Sequence, residues 1–168
     1  GEKENGAVFS HMAVMYANAL YKRGFIKEGY KVLKNLLDSA MDFENSIMYP
    51  GIPEYFDNDG RGLYAYLTGA ASWYMLTMIT EVFGVRGELG NLVIKPALLP
   101  EQFDKDGKAA IKLNFSGRTL KITIHADIDN IQDNNGVYNK IIRVECDGNE
   151  LESADLKKVV IMKKRIEE

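Results

Sequence analysis

Helical spacing up to about residue 84 and alternating spacing after Gly90 place this chain in the α+β class. In the first part apolar residues recur every three or four positions. In the second they recur every two, in short runs separated by turn residues. The change happens once, so helices precede strands without interleaving. That order predicts two regions, residues 1–86 helical and residues 87–168 an antiparallel β domain, either a sheet or half of a sandwich.

The elements follow in order. From Ala7 to Arg23, Val8, Met12, Tyr16 and Ala19 repeat at helical spacing, and Gly24 ends the pattern. A second helix is expected over Ile26 to Ala40, with Tyr30, Leu33, Leu37 and Met41 inward and Lys27, Glu28, Lys31 and Lys34 outward. A third is expected from Thr68 to Phe83, stopped by Gly84. It is apolar nearly all round, which predicts burial on most sides. The intervening loop is long and carries Tyr49, Tyr55, Phe56, Tyr64 and Tyr66; long loops with so many aromatics are more often functional than disordered. After Gly90, "NLVIKP" reads as a short strand. "AIKLNF" and "TLKITIHA" read as a hairpin about "SGR", with Ile111, Leu113 and Phe115 on one face and Leu120, Ile122, Ile124 and Ala126 on another. "KIIRVECDGNEL" gives a strand and a turn at Asp147-Gly148, and "KKVVIMK" a last strand. "DIDNIQDNNGVYN" reads as a polar loop.

Composition narrows the function. The 168 residues are 46% hydrophobic and 27% charged, with a formal net charge of -3. This balance disfavours a general binder of nucleic acid or anionic membrane, which needs a basic surface. No stretch has the length of a bilayer span or the form of a signal peptide. The lone Cys146 cannot form an internal disulfide, which fits a reducing, cytoplasmic setting. The start "GEKENGAVFSHM" has no initiator methionine and runs straight into a helical pattern, so the chain reads as a piece of a longer polypeptide. Its apolar helix faces lack partners within so few helices and are expected to pack on further helices or to self-associate.

Three features bear on chemistry. In "YLTGAASWYML" a nearly apolar helix opens on Thr68-Gly69. Glycine has no evident packing use there, and alanine is the better helix former. A helix N-terminus presents unpaired N–H groups and a dipole that favours anions, so Thr68 and Gly69 form a possible oxyanion seat; a plain N-cap threonine is the simpler reading of the pair taken alone. In "KENGAVFSHM", His11 lies near a helix start behind Lys3 and Glu4. It fits an anion site, or a half-buried histidine bonded to a carbonyl. In "PEYFDNDGRG", Glu54, Asp57 and Asp59 suit sugar hydroxyls and Tyr55, Tyr64 or Trp73 suit a sugar face, or else they are turn and core residues. His125 is expected on the outward face of a strand. No His/Cys spacing indicates a metal, and no cofactor is expected.

Taken together, "KENGAVFSH", "YLTGAASW" and "VFGVRGELGNLVIKPALLP" resemble the C-terminal part of glycoside hydrolase family 94, the inverting disaccharide and oligosaccharide phosphorylases. The "YPGIPEYFDNDGRG" loop is most similar to members acting on β-1,2-linked glucans. The resemblance covers about residues 2 to 124. It implies the last helices of an (α/α)6 barrel followed by a small β domain. It also implies cleavage of a β-linked gluco-oligosaccharide by inorganic phosphate to give α-glucose 1-phosphate. Phosphate contacts carry over to His11, Thr68 and Gly69, and sugar contacts to Lys3 and Glu4. The family usually has Gly-Gly after the asparagine, where this chain has Gly6-Ala7. The general acid, an aspartate, is implied upstream, in barrel segments that this chain lacks, so the chain alone is expected to be inactive.

This chemistry agrees with the donor types. An inverting hydrolase needs two carboxylates roughly 6.5–9.5 Å apart. A phosphate nucleophile makes the second unnecessary and would be repelled by it, so neutral or cationic donors replace it. Two rival readings stand beside this one. A hydrolase on the same barrel would use a carboxylate of the Glu54–Asp59 loop as base, and a carbohydrate-binding or scaffolding module would use the β domain.

Overall fold

The computed structural model describes residues 3, 5–49, 51–65, 69–126, 141–150 and 159–161. The chain is a mixture of helices and small antiparallel sheets. It divides into two compact units, Gly1–Met78 and Ile79–Glu168. The sequence draws its line later, at residue 86. The difference lies in Met78–Val82, which the periodicity assigns to the third helix but which forms a π-helical turn. Val82 accepts a hydrogen bond from Ala97 N–H (2.8 Å), which ties this turn into the second unit.

In the first unit, strand β1 (Val8–Phe9) runs into α1 (Ser10–Lys22), followed by α2 (Ile26–Met41), a single turn α3 (Phe43–Ser46), strands β2 (Tyr55–Phe56) and β3 (Gly62–Leu63), and α4 (Gly69–Thr77). Gly24 ends α1 in the left-handed region (φ 84°), where Gly24 N–H bonds Tyr21 O and Phe25 N–H bonds Leu20 O. The short connection folds α2 back against α1.

The helices pack through small residues, and this overturns two sequence-based faces. On α1 the buried side is Ser10, Val14, Ala17, Asn18 and Tyr21. The expected side is exposed, Met12 at 66% and Tyr16 at 59%. On α2, Leu33 is buried as expected, but Gly29, Leu36 and Ala40 join it, while Leu37 and Met41 face outward. The reason is the contact at Gly29, where a Cβ would lie 2.6 Å from the Tyr21 ring. Two helix backbones meeting over a ring select small residues at the crossing, and hydrophobicity alone points to the larger ones beside them. The α4 helix also departs from expectation. Ala70 and Thr77 are buried, but Met75 and Leu76 are exposed. Thr77 accepts a buried hydrogen bond from Asn18 Nδ2 (3.1 Å), which links α4 to α1. Val8 and Phe9, expected inside the first helix, form a strand instead because they pair with Phe56 and Tyr55.

Among the described residues the second unit holds two antiparallel sheets. The first has the order β10-β5-β4, from Val159–Ile161, Asn91–Ile94 and Val85–Glu88. The second has the order β6-β7-β8-β9, from Lys108–Phe115, Arg118–Ala126, Ile141–Cys146 and Asn149–Glu150. Leu120, Ile122, Ile124 and Ala126 are all buried on one face, as the alternation predicts. The hairpins turn at Leu89-Gly90, Ser116-Gly117 and Asp147-Gly148, each pair with positive φ at both positions, which matches the right-handed strand twist. The β4 strand was not anticipated, because Leu-Gly lacks the usual Asn-Gly or Asp-Gly signature. His125 lies opposite the apolar face but is well covered. Its side chain is 13% exposed, and its Nε2 is 3.7 Å from Glu145 Oε1. The "DIDNIQDNNGVYN" loop lies outside the described residues. Among the described residues no helix is long and apolar enough to cross a membrane.

Candidate functional site

The site is built by the smallest sheet among the described residues. Three two-residue strands, in the order β1-β2-β3, pair Val8 with Phe56, and Phe9 with Tyr55, which in turn pairs with Leu63. The ladder continues past the strand ends: Ser10 N–H donates to Glu54 O (2.9 Å), and Glu54 N–H to Leu63 O (3.1 Å). The loop over residues 51–65 is thus clamped to the start of α1. Gly62 sits so close to Pro53 and Met48 that a Cβ would lie 3.0–3.2 Å from them.

His11 follows Ser10 on the first turn of α1, and its ring lies against Gly69, the first residue of α4. A Cβ on Gly69 would come within 2.5 Å of His11 Cε1, 2.6 Å of Nδ1 and 2.9 Å of Nε2. The glycine therefore has a packing use that the sequence does not reveal: the imidazole occupies the place of its side chain. The Trp73 ring, one turn into α4, is 5.8 Å from the His11 ring at 53°. His11 Nε2 is buried and has no hydrogen-bond partner among the described residues, and the same is true of Ser10 Oγ. An unmatched buried nitrogen of this kind costs about 1–3 kcal/mol unless a ligand or water meets it. It lies at the opening of a nine-residue helix, where backbone N–H groups lack intrahelical acceptors.

The other predicted residues fall as follows. Thr68 and Glu4 lie outside the described residues. Lys3 is exposed, with its Nζ 5.5 Å from the centroid of the Tyr64 ring. Tyr64 is 5.7 Å from Tyr55, and Tyr55 is 5.4 Å from Phe9, so the aromatics of the loop form a row on the small sheet. Asp57 is a turn former: its Oδ1 accepts from Asp59 N–H and Arg61 N–H, both at 2.9 Å. Among the described residues, no group of three or more His, Cys, Asp or Glu could hold a metal ion.

Gly69→Ala is expected to push the imidazole out of its seat. Overpacking of this kind costs about 1–3 kcal/mol, offset by the better helix propensity of alanine. Thermal melts of Gly69→Ala, His11→Ala and the double variant should show strong coupling, with Gly69→Ala well tolerated once the ring is gone. Additive losses would mean that the two residues do not share this contact.

No protein-family profile matches the chain. The chain is 26% identical over 137 residues to a cellobionic acid phosphorylase of Neurospora crassa, an alignment covering 74% of this chain and 17% of that protein. This supports a distant relationship to a phosphorylase. The chain spans only about a sixth of the length of that relative.

Proposed function

We propose that this chain forms part of an inverting β-glucoside phosphorylase, in which inorganic phosphate attacks the anomeric carbon of a β-linked gluco-oligosaccharide and α-glucose 1-phosphate is released. The observation that carries the reading is the pairing of His11 with Gly69: a buried imidazole nitrogen, unmatched among the described residues, at the start of a nine-residue helix. His11, the Thr68 hydroxyl and the Gly69 N–H hold the phosphate. Lys3 and Glu4 hold the sugar. The donors are neutral or cationic, as a multiply charged nucleophile requires, and an aspartate outside this chain serves as general acid. A phosphate oxygen bonds to C1 as the glycosidic C1–O bond breaks, and the departing oxygen takes its proton from that acid. The distant phosphorylase relative supports the same class.

The helices belong to an (α/α)6 barrel in this reading. The exposed Met12, Met15 and Tyr16 on α1 are the surface that other barrel helices of the same polypeptide cover. Of the loop carboxylates that the hydrolase alternative could use as base, Asp57 is disfavoured, because its Oδ1 already accepts from two backbone N–H groups.

The test is product analysis with the polypeptide that carries this chain, incubated with β-gluco-oligosaccharides with and without phosphate. Phosphate-dependent release of a sugar 1-phosphate of α configuration is expected. Free glucose formed at the same rate without phosphate would identify a hydrolase and overturn the proposal.

A further inference from the structure

Lys3 and Tyr64 share an unusual backbone state. Lys3 has φ 47° and Tyr64 has φ 62°, the left-handed region that non-glycine residues seldom occupy and bulky ones least of all. Such strain persists where the surroundings enforce it, and it gathers at ligand clamps. Here the two strained residues meet, with the Lys3 ammonium over the Tyr64 ring at 5.5 Å.

The surroundings that enforce Tyr64 are the same small sheet that sets His11. Glu54 N–H reaches Tyr64 O at 3.4 Å, while Glu54 O receives Ser10 N–H. Tyr64 therefore continues the row Ser10–Glu54, one residue from His11. Behind its ring stands Tyr55, only 4% exposed, which is braced in turn by Phe9. Tyr64 itself stays 46% exposed. A rigid aromatic with a fixed back offers a cation–π seat to the Lys3 ammonium.

We propose that Tyr64 is a positioning residue for sugar recognition: its ring holds the Lys3 ammonium where it meets the hydroxyl groups of the glucosyl substrate. This rests on the reading above that Lys3 binds the sugar. The ring acts through the lysine, so its loss affects sugar affinity and leaves phosphate affinity alone.

The experiment uses the polypeptide that carries this chain, with Tyr64→Asn and Tyr64→Phe. Asparagine tolerates the left-handed backbone and removes the ring; phenylalanine keeps the ring and removes the hydroxyl. KM for cellobiose and other β-linked glucose disaccharides, KM for phosphate, and calorimetric disaccharide binding without phosphate are measured, with thermal melts as a check on folding. Tyr64→Asn is expected to raise the disaccharide KM and Kd about fivefold, the loss of a cation–π contact of about 1 kcal/mol. The phosphate KM should stay within twofold, and Tyr64→Phe should behave as the parent. Unchanged disaccharide binding in Tyr64→Asn overturns the inference, as does a parallel rise in both KM values or loss of disaccharide affinity in Tyr64→Phe. If the parent binds disaccharide but performs no phosphorolysis, and Tyr64→Asn alone weakens that binding, the proposed reaction fails while the role of Tyr64 stands. If the parent neither binds nor cleaves any such disaccharide, both fail.

Discussion

Replacing His11 with alanine, in the polypeptide that carries this chain, should lower kcat/KM for phosphate about 10²-fold or more, the scale seen when one preorganised oxyanion donor is removed. The effect is large because the donor is already in place. The ring is set on the first turn of α1, its nitrogen is buried, and its contact with Gly69 leaves little freedom to reorganise. Sugar binding in the absence of phosphate should change little. The loss should also be specific: Thr68→Val, removing one hydroxyl, should act in the same direction and more weakly. Steady-state kinetics with phosphate as the varied substrate checks this. A His11→Ala protein that uses phosphate at the parental rate would remove the imidazole from the phosphate site.

The second large effect concerns stability and lies in the other unit. Gly84 follows the π-helical turn with φ 67°, and a Cβ there would fall 1.8 Å from Lys95 O and 2.1 Å from its carbonyl carbon. Both obstacles are backbone, held by the Lys95 N–H to Gly84 O bond at 2.9 Å. No rotamer change relieves them. Gly84→Ala is therefore expected to destabilise by more than about 3 kcal/mol, combining a left-handed backbone penalty with a clash in a packed region. Denaturant unfolding of the variant should show a clearly lower midpoint. An unchanged midpoint would mean that the β4–β5 hairpin is not held as described.

The alternating strands after Gly90 were legible in the sequence, but the expected order of helices before strands was not kept, since β1 precedes α1 and β2 and β3 come before α4. Leu120, Ile122, Ile124 and Ala126 announce their buried face because a strand's period is two and one slip would reverse it. The helical faces were not legible. Val14, Ala17 and Asn18 hold the interior of α1 while Met12 and Tyr16 face out, since close helix crossings select by size as well as by polarity. The candidate site was partly legible. His11 and Gly69 are separated by 58 positions in sequence, and the chemistry of each residue drew attention to it. Their contact, and the reason for the glycine, depend on a meeting of two helices that no local signal encodes. The loop aromatics Tyr55 and Tyr64 drew attention to themselves, but the row they form with Phe9 was not suggested. The three-stranded ladder that aligns it consists of two-residue strands, too short for periodicity to show.

The most direct measurement is a crystal structure of the polypeptide that carries this chain, grown with inorganic phosphate and a β-linked glucose disaccharide. The account predicts a phosphate ion with one oxygen in hydrogen-bond range of His11 Nε2 and another in range of the Gly69 N–H. A phosphate bound elsewhere, with His11 Nε2 taken up by a protein carbonyl, would contradict it.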